Sequence, residues 1–208
     1  TDSMIRGDVP SVLVEFNHIV QQGFDGHLFV KVYINGDTAG HWFLWDTGAQ
    51  ASFIDEELVQ DYEFREVGIA RNIDTNLRAI ETIRYSIPKI RFNNAIYKDY
   101  LFSSLRIEKP KCAEKKHRGI IGANIISNSN WIIDYQNQKL YILNPDSVKT
   151  GTDMMGIIAD DREPYSIRFS KSSSKGVPKI QLHINGETVD DVIFDTGYNG
   201  SILLPLDV

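Results

Sequence analysis

The chain has 208 residues, 42% of them apolar and 24% charged, the make-up of an ordinary globular protein with length for one or two domains. It carries 28 acidic and 22 basic residues, a net charge of −6, which argues against the basic face that nucleic-acid binding needs. A single cysteine, Cys112, excludes an internal disulfide and a multi-cysteine zinc site, and the longest apolar runs, such as 42–45, are far too short to span a bilayer.

Most of the predicted elements are strands. In Leu28–Ile34, Val30, Val32 and Ile34 fall on one face and Lys31 and Tyr33 on the other, the two-residue period of a half-buried strand. Trp42–Trp45 is a second, apolar strand. Asp55 then stands where it can cap a short helix, with Glu56 and Glu57 in its first turn and Leu58 beginning its buried side. Lys109, Lys111, Lys115, Lys116 and Arg118 form a basic stretch read as a solvated loop, which also holds Cys112. Gly122–Ile126 opens another short helix. Trp131–Tyr135 and Leu140–Leu143 are β-rich and flank a tight turn at Gln136–Lys139. From Asn144 to Pro164 the pattern breaks into a linker, and Lys171–Lys175 is a serine-rich loop tip. Ile180–Ile184 alternates like the first strand.

The chain repeats itself. Ile34-Asn35-Gly36-Asp37-Thr38 recurs as Ile184-Asn185-Gly186-Glu187-Thr188, and each copy leads into an apolar strand, Trp42–Trp45 or Val192–Phe194. Each strand runs into Asp-Thr-Gly, at Asp46-Thr47-Gly48 and Asp195-Thr196-Gly197. A serine follows each glycine by four residues, Ser52 or Ser201. The offset is 149 residues, about one domain length. One such triplet is a weak signal; two, each behind the same lead-in, are a strong one. A carboxylate at the end of a buried strand is poorly solvated. A second one brought beside it cannot also ionise cheaply, so the pair shares one proton, behaviour for which aspartic proteases are the standard example. Such a pair can hold a water, deprotonate it as it attacks an amide, and protonate the carbonyl oxygen. That chemistry needs no metal or organic cofactor.

Phe43-Leu44-Trp45-Asp46-Thr47-Gly48-Ala49 resembles the active-site motif of retropepsin-like aspartyl peptidases. Ile120-Ile121-Gly122, 76 residues from Asp46 to Gly122, is similar to that family's second hallmark, a strand threading beneath the catalytic loop, with Asn124 just beyond it. The tandem arrangement resembles the bacterial two-lobed members. The resemblance implies an all-β acid-protease fold, one complete lobe plus the beginning of a second: 9–145 as the first lobe, 146–163 as linker and 164–208 as the start of the second. It implies a peptide or protein substrate and Asp46 and Asp195 as the catalytic pair. Thr47 and Thr196 would bond across the lobes, Gly48 and Gly197 would permit the turns, and Gly122 would support the first loop. Asp74, Thr75 and Asn76 fall at the tip of the substrate-covering flap, within 69–83.

Four departures carry expectations of their own. The 149-residue offset puts the counterpart of Gly122 near position 271, past Val208. Tyr198 stands where a small residue is usual, as at Ala49. Trp45 is bulkier than usual and should narrow the site. Tyr85 lies past the flap tip, so no flap aromatic is assigned. The five histidines, His18, His27, His41, His117 and His183, show no metal spacing, and Ser52 and Ser201 have no histidine partner for nucleophilic work. The sequon Asn199-Gly200-Ser201 would put a glycan at the cleft. With Thr1 in place of an initiator Met, this suggests an exported bacterial protein of the periplasm or cell surface. Two alternatives stand beside the protease: a catalytically silent module binding extended peptides, and a homodimer with Asp46 from each chain.

Overall fold

The computed structural model describes residues 11–15, 17–21, 24–73, 78–93, 95–108, 117–134, 139–143, 170–171 and 176–198. The linker, residues 109–116 of the basic stretch with Cys112, the flap tip 74–76 and Ser201 lie outside these residues.

The fold is all-β, with two short helices among the described residues. In chain order the elements are β1 (Ser11–Glu15), β2 (Asn17–Gln21), β3 (Phe24–Ile34), β4 (His41–Trp45), β5 (Ser52–Asp55), α1 (Glu56–Gln60), β6 (Arg65–Ile73), β7 (Ala79–Phe92), β8 (Ala95–Leu105), β9 (Gly119–Ile121), α2 (Ala123–Ile126), β10 (Asn130–Asp134), β11 (Lys139–Leu143), β12 (Ser170–Lys171), β13 (Pro178–Ile184) and β14 (Glu187–Ile193). Eight strands make the main sheet, in the order β2-β3-β4-β9-β5-β8-β7-β6. A further pairing of β3 with β7, Tyr33 against Arg91 and Ile34 against Ile90, folds that sheet back on itself. Strands β1, β11 and β10 form a second sheet and β12, β13 and β14 a third.

The alternation in β3 holds: Leu28, Val30, Val32 and Ile34 are buried and enter a core with Phe43, Trp45, Ile54, Phe92 and Ile121. The two Ile-Asn-Gly copies are the same device. Asn35 and Gly36 have φ of 47° and 93°, and Asn185 and Gly186 have 51° and 88°. Two consecutive left-handed residues make the turn whose twist matches a hairpin. The strand expected at Val192–Phe194 is the end of a longer one, β14, which stops at Ile193.

Two expectations are corrected. Asp55 precedes α1, but its side chain makes no cap bond. It is fully buried, so its carboxylate turns to the interior: Oδ1 accepts a bond from the Ile107 N–H at 3.4 Å and Oδ2 lies 3.5 Å from Arg118 Nε. Trp45 does not narrow the site. Its ring is fully buried in the core against Trp131, with centroids 4.2 Å apart, and Phe92. The strand pleat sends residue 45 inward and leaves the carboxylate of the next residue at the strand's end.

Candidate active site

Asp46 leaves β4 at the point where β9 supports it. The two strands run parallel, with Phe43 against Gly119, Leu44 against Ile120 and Trp45 against Ile121. The Asp46 N–H continues the ladder to the Ile121 carbonyl at 3.0 Å, and the Ala123 N–H reaches the Ala49 carbonyl at 2.7 Å. The stretch expected to thread beneath the loop therefore does so. Buried Ser52 completes the support: its Oγ accepts from the Gly122 N–H at 2.9 Å and donates to Asn124 Oδ1 at 2.8 Å. Asn124 in turn donates to the Leu101 carbonyl. The sequence held a signal for this role of Ser52, namely its recurrence at the same distance from each triplet.

Asp46 Oδ1 accepts from the Gly48 and Ala49 N–H groups at 2.9 and 2.8 Å, and Asp195 Oδ1 accepts from the Gly197 N–H at 2.7 Å. These bonds are ordinary turn chemistry for Asp. The two loops are joined by their threonines. Thr47 Oγ1 accepts from the Thr196 N–H at 3.0 Å and donates to the Phe194 carbonyl at 2.6 Å; Thr196 Oγ1 accepts from the Thr47 N–H at 3.2 Å and donates to the Trp45 carbonyl at 2.8 Å. Each hydroxyl thus replaces a missing strand partner for the opposite loop. Thr47→Val keeps the shape but leaves the Thr196 N–H and Phe194 carbonyl unpaired. At roughly 1–3 kcal/mol per unsatisfied buried group, we expect about 2 kcal/mol lower stability after discounting for partial exposure. A urea midpoint indistinguishable from wild type would contradict this.

The glycines act differently from the expectation. Neither Gly48 nor Gly197 has the left-handed backbone that only glycine adopts easily. Each instead leaves room for the opposite aspartate. A Cβ on Gly48 would strike the Asp195 carboxyl, and one on Gly197 would strike the Asp46 carboxyl. The two carboxyls therefore face each other, each seated over the other's glycine.

Burial and the facing Asp195 charge push the Asp46 carboxyl up to about 7, despite two N–H bonds that favour its ionised form. A folded-state value above the unfolded 3.8 means that Asp46 binds its proton more tightly in the folded protein. Its contribution to stability is complete below about pH 4 and is lost as pH rises towards about 7. The melting temperature should fall over that window, and less so in Asp46→Asn; parallel profiles for the two proteins would refute the assignment.

The flap expectation is answered only in part. Strands β6 and β7 pair from Arg65–Ser86 to Ile73–Ala79, forming a hairpin that points its exposed Ile69 and Ile73 outward; Asp74, Thr75 and Asn76 lie outside the described residues. Tyr85 sits at the base of this hairpin, opposite Glu66. Tyr198 is 46% exposed beside the second loop. Among the described residues no group of three or more His, Cys, Asp or Glu is placed to hold a metal, and no helix is long and apolar enough to cross a membrane.

An all-β lobe that delivers an Asp-Thr-Gly loop onto a threading strand is an acid-protease fold. Residues 30–125 match a family model described as aspartyl protease. Among solved structures, the chain is similar to a retropepsin-like aspartic protease from Rickettsia conorii, at 13% identity and a TM-score of 0.42, over 67% of this chain and 96% of that one. No curated protein matches the sequence.

Proposed function

We propose that the protein is an aspartic endopeptidase whose water-activating pair is Asp46 and Asp195 of one chain. The observation that carries this reading is the reciprocal seating of each carboxyl over the other loop's glycine. Two carboxyls at that approach share one proton, which burial favours on Asp46. A water held between them loses its proton to the charged carboxylate as its oxygen bonds to the peptide carbon. The protonated carboxyl delivers its proton to the carbonyl oxygen. As the resulting gem-diol collapses, one of its hydroxyls returns a proton to the pair, the C–N bond breaks, and the proton taken from water passes to the leaving amine. Thr47, Thr196 and Gly122 do not touch substrate in this scheme; they hold the two loops at the required spacing.

The intrachain bonds between Thr47 and Thr196 support a pair formed within one chain over a homodimer with Asp46 from each. The test is turnover of a peptide library by the full-length protein across pH. Cleavage should be strongest below about pH 7 and decline as the shared proton leaves. It should also stop with a statine-type mimic of the tetrahedral intermediate. Cleavage that rises steadily through neutral pH, or peptide binding with no cleavage at any pH, would refute the proposal; the second outcome is that of the silent binding module.

A further inference from the structure

The second repeat touches the first at a place apart from the threonine bonds. Between residues 176 and 198, Val177 is the one fully buried residue, at 2% exposure; every other described residue there is half-buried or exposed. Gly176, just before it, has φ of +74°, and a Cβ built on it would lie 2.8 Å from Ser127 Oγ, 2.9 Å from Ser127 Cβ and 3.4 Å from the Ala123 carbonyl oxygen. Ser127 is the residue that ends α2. The backbone at 176 therefore lies directly on the end of that helix, in a conformation and a space that both require glycine.

The neighbours of this contact lead to both aspartates. At its other end, α2 begins with the Ala123 N–H bonded to Ala49, three residues past Asp46. The residue after Val177, Pro178, accepts a bond from the Phe194 N–H at 3.0 Å, one residue before Asp195. A single helical turn thus bears the Asp46 loop at one end and, through Val177 and Pro178, the strand entering the Asp195 loop at the other.

We propose that Gly176 and Val177 are positioning residues: they seat the second repeat on the end of α2 and so set how closely Asp195 meets Asp46. The threonine bonds join the two loops at their tips, and the α2 seat fixes the angle at which the second loop arrives. This rests on the aspartic-endopeptidase reading for its effect on turnover, but its effect on the pair itself can be read without turnover.

The experiment uses full-length protein with two readouts, kcat and KM on a peptide substrate and the titration of the Asp46 carboxyl by carbon-13 NMR. Gly176→Ala should lower kcat by roughly 10- to 100-fold, as expected for displacement of reacting groups by about an ångström, with KM little changed. The Asp46 titration should move down from about 7 as Asp195 and its shielding withdraw. Adding Ser127→Gly removes the side-chain atoms that the new methyl meets and should restore both readouts in part, the strain of φ +74° remaining. Val177→Ala, which adds no bulk and no backbone strain, should move both in the same direction and serves if Gly176→Ala does not fold. An unchanged Asp46 titration in folded Gly176→Ala and Val177→Ala would overturn the proposal. So would a loss in Gly176→Ala that Ser127→Gly does not relieve, because backbone strain at 176 would then explain it. A wild-type protein without turnover, whose Asp46 titration still responds to Gly176→Ala, would refute the endopeptidase and leave the seat standing.

Discussion

Asp46→Asn in the full-length protein should reduce peptide cleavage by roughly ten-thousand-fold, the scale on which a group acting as part of a catalytic unit is lost. The amide keeps the shape and can still accept the Gly48 and Ala49 N–H bonds through its oxygen, so the fold should survive. It cannot exchange a proton with water, and the pair loses one of its two states. Asp195→Asn should be as damaging, because the partner acid or base goes with it, and the double variant should be scarcely worse than either single one. The homodimer predicts a different pattern, with Asp195→Asn nearly normal. Burial that disfavours the charge on Asp46 makes a further demand: above pH 7 the folded Asn variant should melt no lower than wild type. Normal turnover by folded Asp46→Asn protein would end the hypothesis.

Gly122→Ala should be among the most destabilising single-methyl additions to the first lobe, at about 3 kcal/mol, the upper part of the range for overpacking. The added Cβ would strike the Ala51 carbonyl and lie 2.8 Å from the Ala49 carbonyl oxygen. Both are backbone atoms, and Ala49 already accepts the Ala123 N–H, so neither can turn aside as a side chain would. Whatever gives way is the stretch that follows Asp46, and activity should fall with stability. Gly36→Ala is the comparison. Its backbone is left-handed, yet nothing lies within 4 Å of the new carbon, so it should cost only about 1 kcal/mol of conformational strain. Equal urea midpoints for the two variants would show that β9 does not bear on the loop as described.

Both triplets, the threading strand and the paired Ile-Asn-Gly turns were legible because each depends on local chemistry repeated at a fixed offset. Strands β6, β7 and β8 carry no such repeated local signal, although they build the largest hairpins of the first lobe. In β7, Pro88 interrupts the run, and proline argues against a strand flanked on both sides. The structure accommodates it opposite Asp99, which takes φ of 56° between the pairs Ile87–Tyr100 and Lys89–Lys98. That irregularity involves two strands at once and leaves no mark in either alone. The inward turn of Asp55 was hidden for the same reason: Arg118, its partner, is 63 residues away. The work of Gly48 and Gly197 also needed the second loop in place, since the atoms they make room for belong to the other repeat.

The bonds between Thr47 and Thr196 span 149 residues of chain, and this bears on when the site comes into being. Strands β1 to β11 of the first lobe end at Leu143, and a domain made first tends to fold first during synthesis. For the next fifty or so residues of elongation, the ribosome carries a folded lobe with one aspartate and no partner for it. Under the proposed function, such a nascent chain cannot form the shared-proton pair until residues 195–197 have left the exit tunnel and docked. The stretch between the repeats thereby delays the joining of the two loops until the second triplet has been made.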